Sequence, residues 1–240
     1  MLEEWGVLLA VLGLLAATLF LASVHQRYQR HQAEVRAAVR RCESTLLLIG
    51  GALSDLGPVP LSRELRVLLR ADSLARYRRI ARLYRGYPDI RQRVAEAETA
   101  LHAEGDLPGK NLGPIENEQV FRRFTSALDG LHDIVRHNRM LQPLPADVRG
   151  IFERELGERR AEVMARFHLV AARQLEQDGD LTKARAHLTT LMQRLRRMGP
   201  STPFVKALYA EAEQALVDLG RRAFEKDAPP VDRPAIGQPG

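Results

Sequence analysis

The most sharply patterned segment of the chain is Trp5 to Val24, WGVLLAVLGLLAATLFLASV, twenty residues without a charged side chain. At about 1.5 Å rise per residue it matches the roughly 30 Å hydrocarbon core of a bilayer, so it predicts a single transmembrane helix. Residues 1–4 form a short acidic lead, and the span runs directly into polar sequence, unlike the basic flank and short apolar core of a cleaved signal. Beyond it Tyr28, Val35, Cys42 and Ile49 recur every seven residues, with Gln32, Val39 and Leu46 interleaved. This spacing predicts a juxtamembrane helix over 25–53. Its apolar stripe can seal against later helices of the chain or against a second copy in a homodimer. Cys42 lies on the stripe and reads as a small buried hydrophobe.

Gly50-Gly51 and then Gly57-Pro58-Val59-Pro60 predict the end of that helix. Ser62 is placed to cap the next, which carries Leu65, Leu68, Leu69, Leu74, Tyr77, Ile80 and Tyr84 before Gly86-Tyr87-Pro88 interrupts it. Ile90, Val94, Ala97 and Leu101 form a stripe to about Glu104, and Gly105 to Glu116 reads as a loop. A helix from about Asn117 to Leu141, burying Val120, Phe124, Leu128, Leu131 and Val135, closes an Arg-rich helical region over 61–141. After Gln142-Pro143-Leu144-Pro145, Asp147 is positioned to start a long helix toward Gln177. A last helix from about Pro203 to Lys226 carries Phe204, Leu208, Ala212, Ala215 and Leu219, completing a C-terminal helical region over 147–225. Residues 227–240 hold too little apolar surface to build a core and read as a disordered tail. The fold expected is all-α: one transmembrane helix followed by a multi-helix domain.

Composition agrees with helices packed on helices, since aromatic residues are only 5% of the chain. A single cysteine excludes an intramolecular disulfide framework and any CxxC redox or zinc-ribbon site. Of 36 basic residues 32 are arginine, a bias that a GC-rich genome also produces, so it is weak support for nucleic-acid binding. The distribution of charge is more informative. No Lys or Arg precedes the apolar span, whereas Arg27, Arg30, Arg36, Arg40 and Arg41 follow it closely. The bias predicts an N-terminus outside and a cytoplasmic C-terminal domain, at the inner membrane if the chain is bacterial. Residues 61–93 then carry ten arginines, including Arg66, Arg70, Arg78, Arg79, Arg82 and Arg85, against Glu64, Asp72 and Asp89. With Arg27 to Arg41 they form a candidate contact for anionic lipid of the bilayer, where each basic residue near the surface contributes about 1 kcal/mol. A phosphate-binding surface for nucleic acid and a merely solvated face are the competing readings, and no nucleic-acid module accompanies the charge. Within the span, Gly6, Ala10, Gly13 and Ala17 place small residues on one helical face, a candidate packing surface for a partner helix.

Ala172, Leu175, Gly179-Asp180, Ala184 and Leu188 are spaced like the first-helix small residue, turn glycine, second-helix alanine and following large residue of one motif. Residues 165–198 thus resemble a single tetratricopeptide repeat, which implies a helical hairpin able to contact a protein partner. The pattern departs at His168, where the family has a bulky aromatic, and at Arg196, where it has a closing proline; no second copy is present.

Candidate chemistry is thin. Gly105 to Asn111 resembles a phosphate-binding loop, but its glycines are too close and Asn111 replaces the magnesium-ligating hydroxyl. His102, His132-Asp133 and Asp147 or Asp178 resemble the ordered ligand set of HD-type metal phosphohydrolases, which are also helical. His132 and His137, five apart, are awkwardly offset for one metal, and Glu153/Glu155 and Glu158/Glu162 read as solvent-facing helix charges. No local nucleophile motif is present, and neither a cofactor nor a resident metal is expected. The expectation is a membrane-anchored helical adaptor or scaffold that engages protein partners at the cytoplasmic face, with an HD-type hydrolase and a tethered nucleic-acid binder as alternatives.

Overall fold

Helical periodicity without strand alternation gives an all-α chain. The computed structural model describes residues 2–105 and 112–227, with side chains omitted for residues 2–18, 198 and 225–227. Seven helices occur among the described residues: α1 (Leu2–Asp55), α2 (Arg63–Leu83), α3 (Ile90–His102), α4 (Glu118–Arg136), α5 (Ala146–Gln177), α6 (Leu181–Met198) and α7 (Pro203–Asp227). Among those residues no helix is long and apolar enough to cross a membrane. The side chains of the expected span fall mostly outside the description, as do Gly6, Ala10, Gly13 and Ala17. The loop residues 106–111 and the tail from 228 onward also lie outside it.

α1 is one uninterrupted helix of 54 residues. Gly50 and Gly51 do not end it, contrary to the expectation. A glycine inside a helix costs only about 1 kcal/mol relative to alanine, and buried Ile49, Ala52 and Leu56 bracket the pair with packing. The helix stops at Gly57-Pro58, where Leu56 and Val59 close a tight turn through their backbones. Ser62 caps α2 as expected, its hydroxyl accepting from the Leu65 N–H at 3.2 Å.

Packing separates the chain into two units that do not follow chain order, 1–49 with 67–104 and 50–66 with 105–240. In the first, the heptad stripe of α1 is covered from within: Val39, Cys42 and Leu46 pack with Ile80 of α2 and Ile90 of α3, flanked by Val35, Tyr77, Ala81 and Tyr87. Because Tyr77 and Ile80, late in α2, meet this early part of α1, α2 folds back antiparallel along α1. Tyr28, at the start of the stripe, stays exposed. Asp72 and Arg76 form a buried ion pair at 2.6 Å inside α2.

In the second unit α5 is the central element, packing against α4, α6 and α7. Its small residues Ala161, Ala165 and Ala172 permit close approach, and with Leu169, Leu188, Leu191, Leu208 and Ala212 they form the core. α4 contributes Phe124, Leu128, Leu131, Ile134 and Val135, all buried. It ends at Arg136, earlier than Leu141, because His137 caps it and Asn138 enters the left-handed region at φ 49°. The Asn138 side chain then accepts from the Leu144 N–H at 2.9 Å and organises the connection to α5.

The α5–α6 turn shows why its sequence is so compact. Gly179 sits at φ 81°, a conformation that costs a side-chain-bearing residue about 1–2 kcal/mol. That geometry lets the Asp180 N–H reach Leu175 O and the Gly179 N–H reach Glu176 O, satisfying two carbonyls at the end of α5. Asp180 meanwhile caps α6, accepting from the Lys183 N–H at 3.0 Å.

Two of the glutamates expected to face solvent do not. Glu155 accepts from both the N–H and the hydroxyl of Ser62, at 2.5 and 2.7 Å, and so closes the start of α2 across 93 residues of sequence. Glu162 is buried and paired with Arg159 at 2.8 Å. Both lie on the face of α5 that its partners cover, which the helical period of α5 alone leaves ambiguous, because that helix is packed on several sides.

Candidate functional site

Residues 19–24 of α1 are apolar apart from Ser23, and all are exposed. Leu19, Phe20, Leu21 and Val24 are 70, 67, 66 and 48% exposed. At about 100° per residue they cover more than half the helix circumference, too wide an arc for one neighbouring helix. Arg27 and Arg30 follow on the same free helix, also exposed.

The other arginines of the basic region divide by what holds them. Arg66 donates to Leu61 O at 2.5 Å and to Gly105 O at 3.3 Å, so it fastens backbone rather than offering itself to a ligand. Arg78 pairs with Glu98 at 2.5 Å, tying α2 to α3, and Arg70 pairs at 3.1 Å with Glu104 just past the end of α3. Arg36, Arg40, Arg41, Arg79, Arg82 and Arg85 are exposed and form no ion pair among the described residues. The structure therefore brings only some of the candidate lipid contacts together as an available surface, at the α2–α3 turn and on the facing stretch of α1.

Between those two elements lies a cavity of about 370 Å³, lined by Gln32, Val35, Arg36, Val39, Arg40 and Glu43 of α1 and by Tyr84, Tyr87 and Pro88 of the turn. Tyr87 donates its hydroxyl to Glu43 at 2.6 Å, and the Arg93 guanidinium stands 5.8 Å from its ring centre. The hydrogen bond to Glu43, aided by burial, pushes the Tyr87 phenol above its ordinary range and keeps it a donor. The arginines and tyrosines are evident in the sequence, but their meeting needs α2 to fold back on α1. A second groove, of about 540 Å³, has arginines 78, 82 and 91 around Ala81, Ile90 and Val94.

In the second unit His168, one helical turn from Met164 and Ala165, is 6% exposed. Its ring lies at 5.3 Å from both Phe167 and His187, beside the stacked Phe121–Phe167 pair. His168 Nδ1 and His187 Nδ1 share a hydrogen bond at 3.2 Å, while His168 Nε2 is buried without a partner. Burial, and then the His187 and Arg194 charges, push the His168 imidazole down to about 4. Near neutral pH the ring is held uncharged and packs as an aromatic group.

The ligand set of an HD-type centre is not assembled. Asp133 is taken by His137 and Arg139 at 2.7 Å each, Asp178 ends α5, and among the described residues no group of three or more His, Cys, Asp or Glu could hold a metal ion. The glycine–lysine loop lies largely outside the described residues. Comparison with family models, with curated proteins and with solved structures finds no match for this chain.

Proposed function

We propose that the chain is a membrane-anchored helical adaptor: Trp5–Val24 crosses the bilayer, both helical units stand on the cytoplasmic side, and the α5–α7 unit presents its surface to a protein partner. The observation that carries this reading is the exposed apolar collar of Leu19, Phe20, Leu21 and Val24 on a helix continuous with the uncharged span. A helix apolar all round needs an apolar medium rather than a single packing neighbour. The adaptor role draws on the α5–α6 helical hairpin, whose Ala172, Gly179, Ala184 and Leu188 carry the sequence spacing that resembles a tetratricopeptide repeat.

Height along α1 sorts the arginines. At about 1.5 Å per residue, Arg27 and Arg30 stand roughly 5 and 9 Å beyond Val24, whereas Arg36 and Arg40 stand about 18 and 24 Å beyond it. Headgroups occupy about 5–7 Å outside the hydrocarbon, and screening at physiological salt acts within about 8 Å. Arg27 and Arg30 are thus the lipid contacts of this reading. α2 stands along α1 instead of lying flat on the leaflet, and only its turn faces the membrane.

Reporter fusions at the C-terminus test the topology: activity of a periplasm-dependent reporter with silence of a cytoplasm-dependent one would sink the orientation, and extraction of the chain by alkaline carbonate would sink the anchor. In-cell crosslinking from the exposed face of α6 and α7 tests the adaptor role, which fails if no discrete protein adduct forms.

A further inference from the structure

The cavity between α1 and the α2–α3 turn has a chemistry of its own. Arg36 and Arg40 lie one helical turn apart, both exposed, and form no ion pair among the described residues. Two like charges at this spacing repel unless an anion sits between them. The one carboxylate in the lining, Glu43, already accepts the Tyr87 hydroxyl. The rest of the lining, Gln32 apart, is apolar or aromatic: Val35, Val39, Pro88, Tyr84 and Tyr87. Guanidinium groups match phosphate oxygens in a fork geometry, and an apolar floor with a few polar groups is the usual make-up of a small-ligand site.

We propose that this cavity binds an anionic amphiphile, its phosphate held between Arg36 and Arg40 and its apolar body laid on Val35, Val39 and Pro88 beside Tyr84. No residue of the expected span forms the site, whose lining begins at Gln32. Two sources supply such a ligand: an anionic phospholipid drawn out of the leaflet, since Arg36 and Arg40 stand beyond the headgroup layer, or a soluble phosphate ester with an apolar group. The Arg–phosphate contacts are the same in both.

The test uses the full chain in nanodiscs of neutral phosphatidylcholine, titrated calorimetrically with dihexanoyl phosphatidic acid, with heats from empty nanodiscs subtracted. One saturable site is expected, with R36Q/R40Q weakening it by roughly tenfold or more, the scale of losing charge-assisted hydrogen bonds. R196Q/R197Q, a charge-matched pair at exposed arginines of the second unit, leaves it unchanged, and inorganic phosphate and dihexanoyl phosphatidylcholine bind much more weakly. Both arginines are exposed, so the variants keep their fold, checked by amide exchange along α1. Replacing part of the neutral lipid with long-chain phosphatidic acid separates the sources: loss of probe binding supports a bilayer lipid in the site, and unchanged binding supports a soluble ester. Absence of saturable binding, binding indifferent to R36Q/R40Q, or inorganic phosphate binding as tightly as the amphiphile overturns the proposal.

Discussion

Acidification should loosen the α5–α6 hairpin through one residue, His168. Its ring is 6% exposed among Phe121, Phe167 and His187, and its folded pKa is pushed down from 6.5 to about 4. Burial is the leading cause, followed by the His187 and Arg194 charges. A base whose folded pKa is depressed binds fewer protons folded than unfolded between the two values, so stability falls as pH drops through that window. Nothing is lost at pH 7. The loss reaches about 2 kcal/mol by pH 5 and roughly 3 kcal/mol below pH 4. One ring must donate and the other accept across the 3.2 Å Nδ1 contact, and protonating both would set two cations against each other. The assay is amide hydrogen exchange of the full chain in detergent at pH 7 and pH 5, corrected for intrinsic exchange. Opening free energies in α5 and α6 should drop in the native chain but hold in His168→Phe, which keeps an aromatic ring and removes the titration. An equal drop in both proteins would falsify the argument, as would an imidazole titration that places His168 near 6.5. His187→Gln, which removes one charge and keeps His168, guards against a packing artefact in the phenylalanine variant.

Breaking the buried Asp72–Arg76 pair from one side removes a 2.6 Å charge-assisted contact in the first unit, so Asp72→Ala should cost about 3–5 kcal/mol in urea unfolding; a loss below 1 kcal/mol would show that the pair contributes little. Gly179→Ala, at φ 81°, should cost about 1–2 kcal/mol, with Gly179→Asn milder because asparagine tolerates the left-handed region; equal effects would point to lost space instead of backbone strain. Ser62→Ala and Glu155→Ala should each destabilise the second unit by about 1–2 kcal/mol and couple in a double-mutant cycle, since one carboxylate receives both Ser62 donors. Additive losses would mean that the contact does not form. Sedimentation with phosphatidylserine vesicles should weaken more for R27Q/R30Q than for R82Q/R85Q, and the reverse order would show that the turn, not the base of α1, meets the headgroups.

Much of this molecule is written in local sequence. Helical periodicity, Ser62 and Asp180 as caps, Gly179 as the turn, and the Pro-rich breaks at 57–60 and 142–145 are decided within a few residues, because capping and backbone preference are short-range effects. The heptad stripe of α1 was equally legible as a surface requiring cover. What covers it was not: α2 and α3 meet Val39, Cys42 and Leu46 only because the turn at 56–62 sends the chain back, and a stripe does not encode its partner. Local signals also misjudged positions where tertiary packing outweighs them. Gly50 and Gly51 stay helical because buried neighbours offset their cost, and Glu155 and Glu162 leave solvent because each finds a partner. The meeting of Arg36 and Arg40 with Tyr84 and Tyr87, and of His168 with His187, joins residues 19 to 51 positions apart. Sequence set the charge and the ring chemistry of these residues; only the antiparallel return of one helix along another decided which of them share a site.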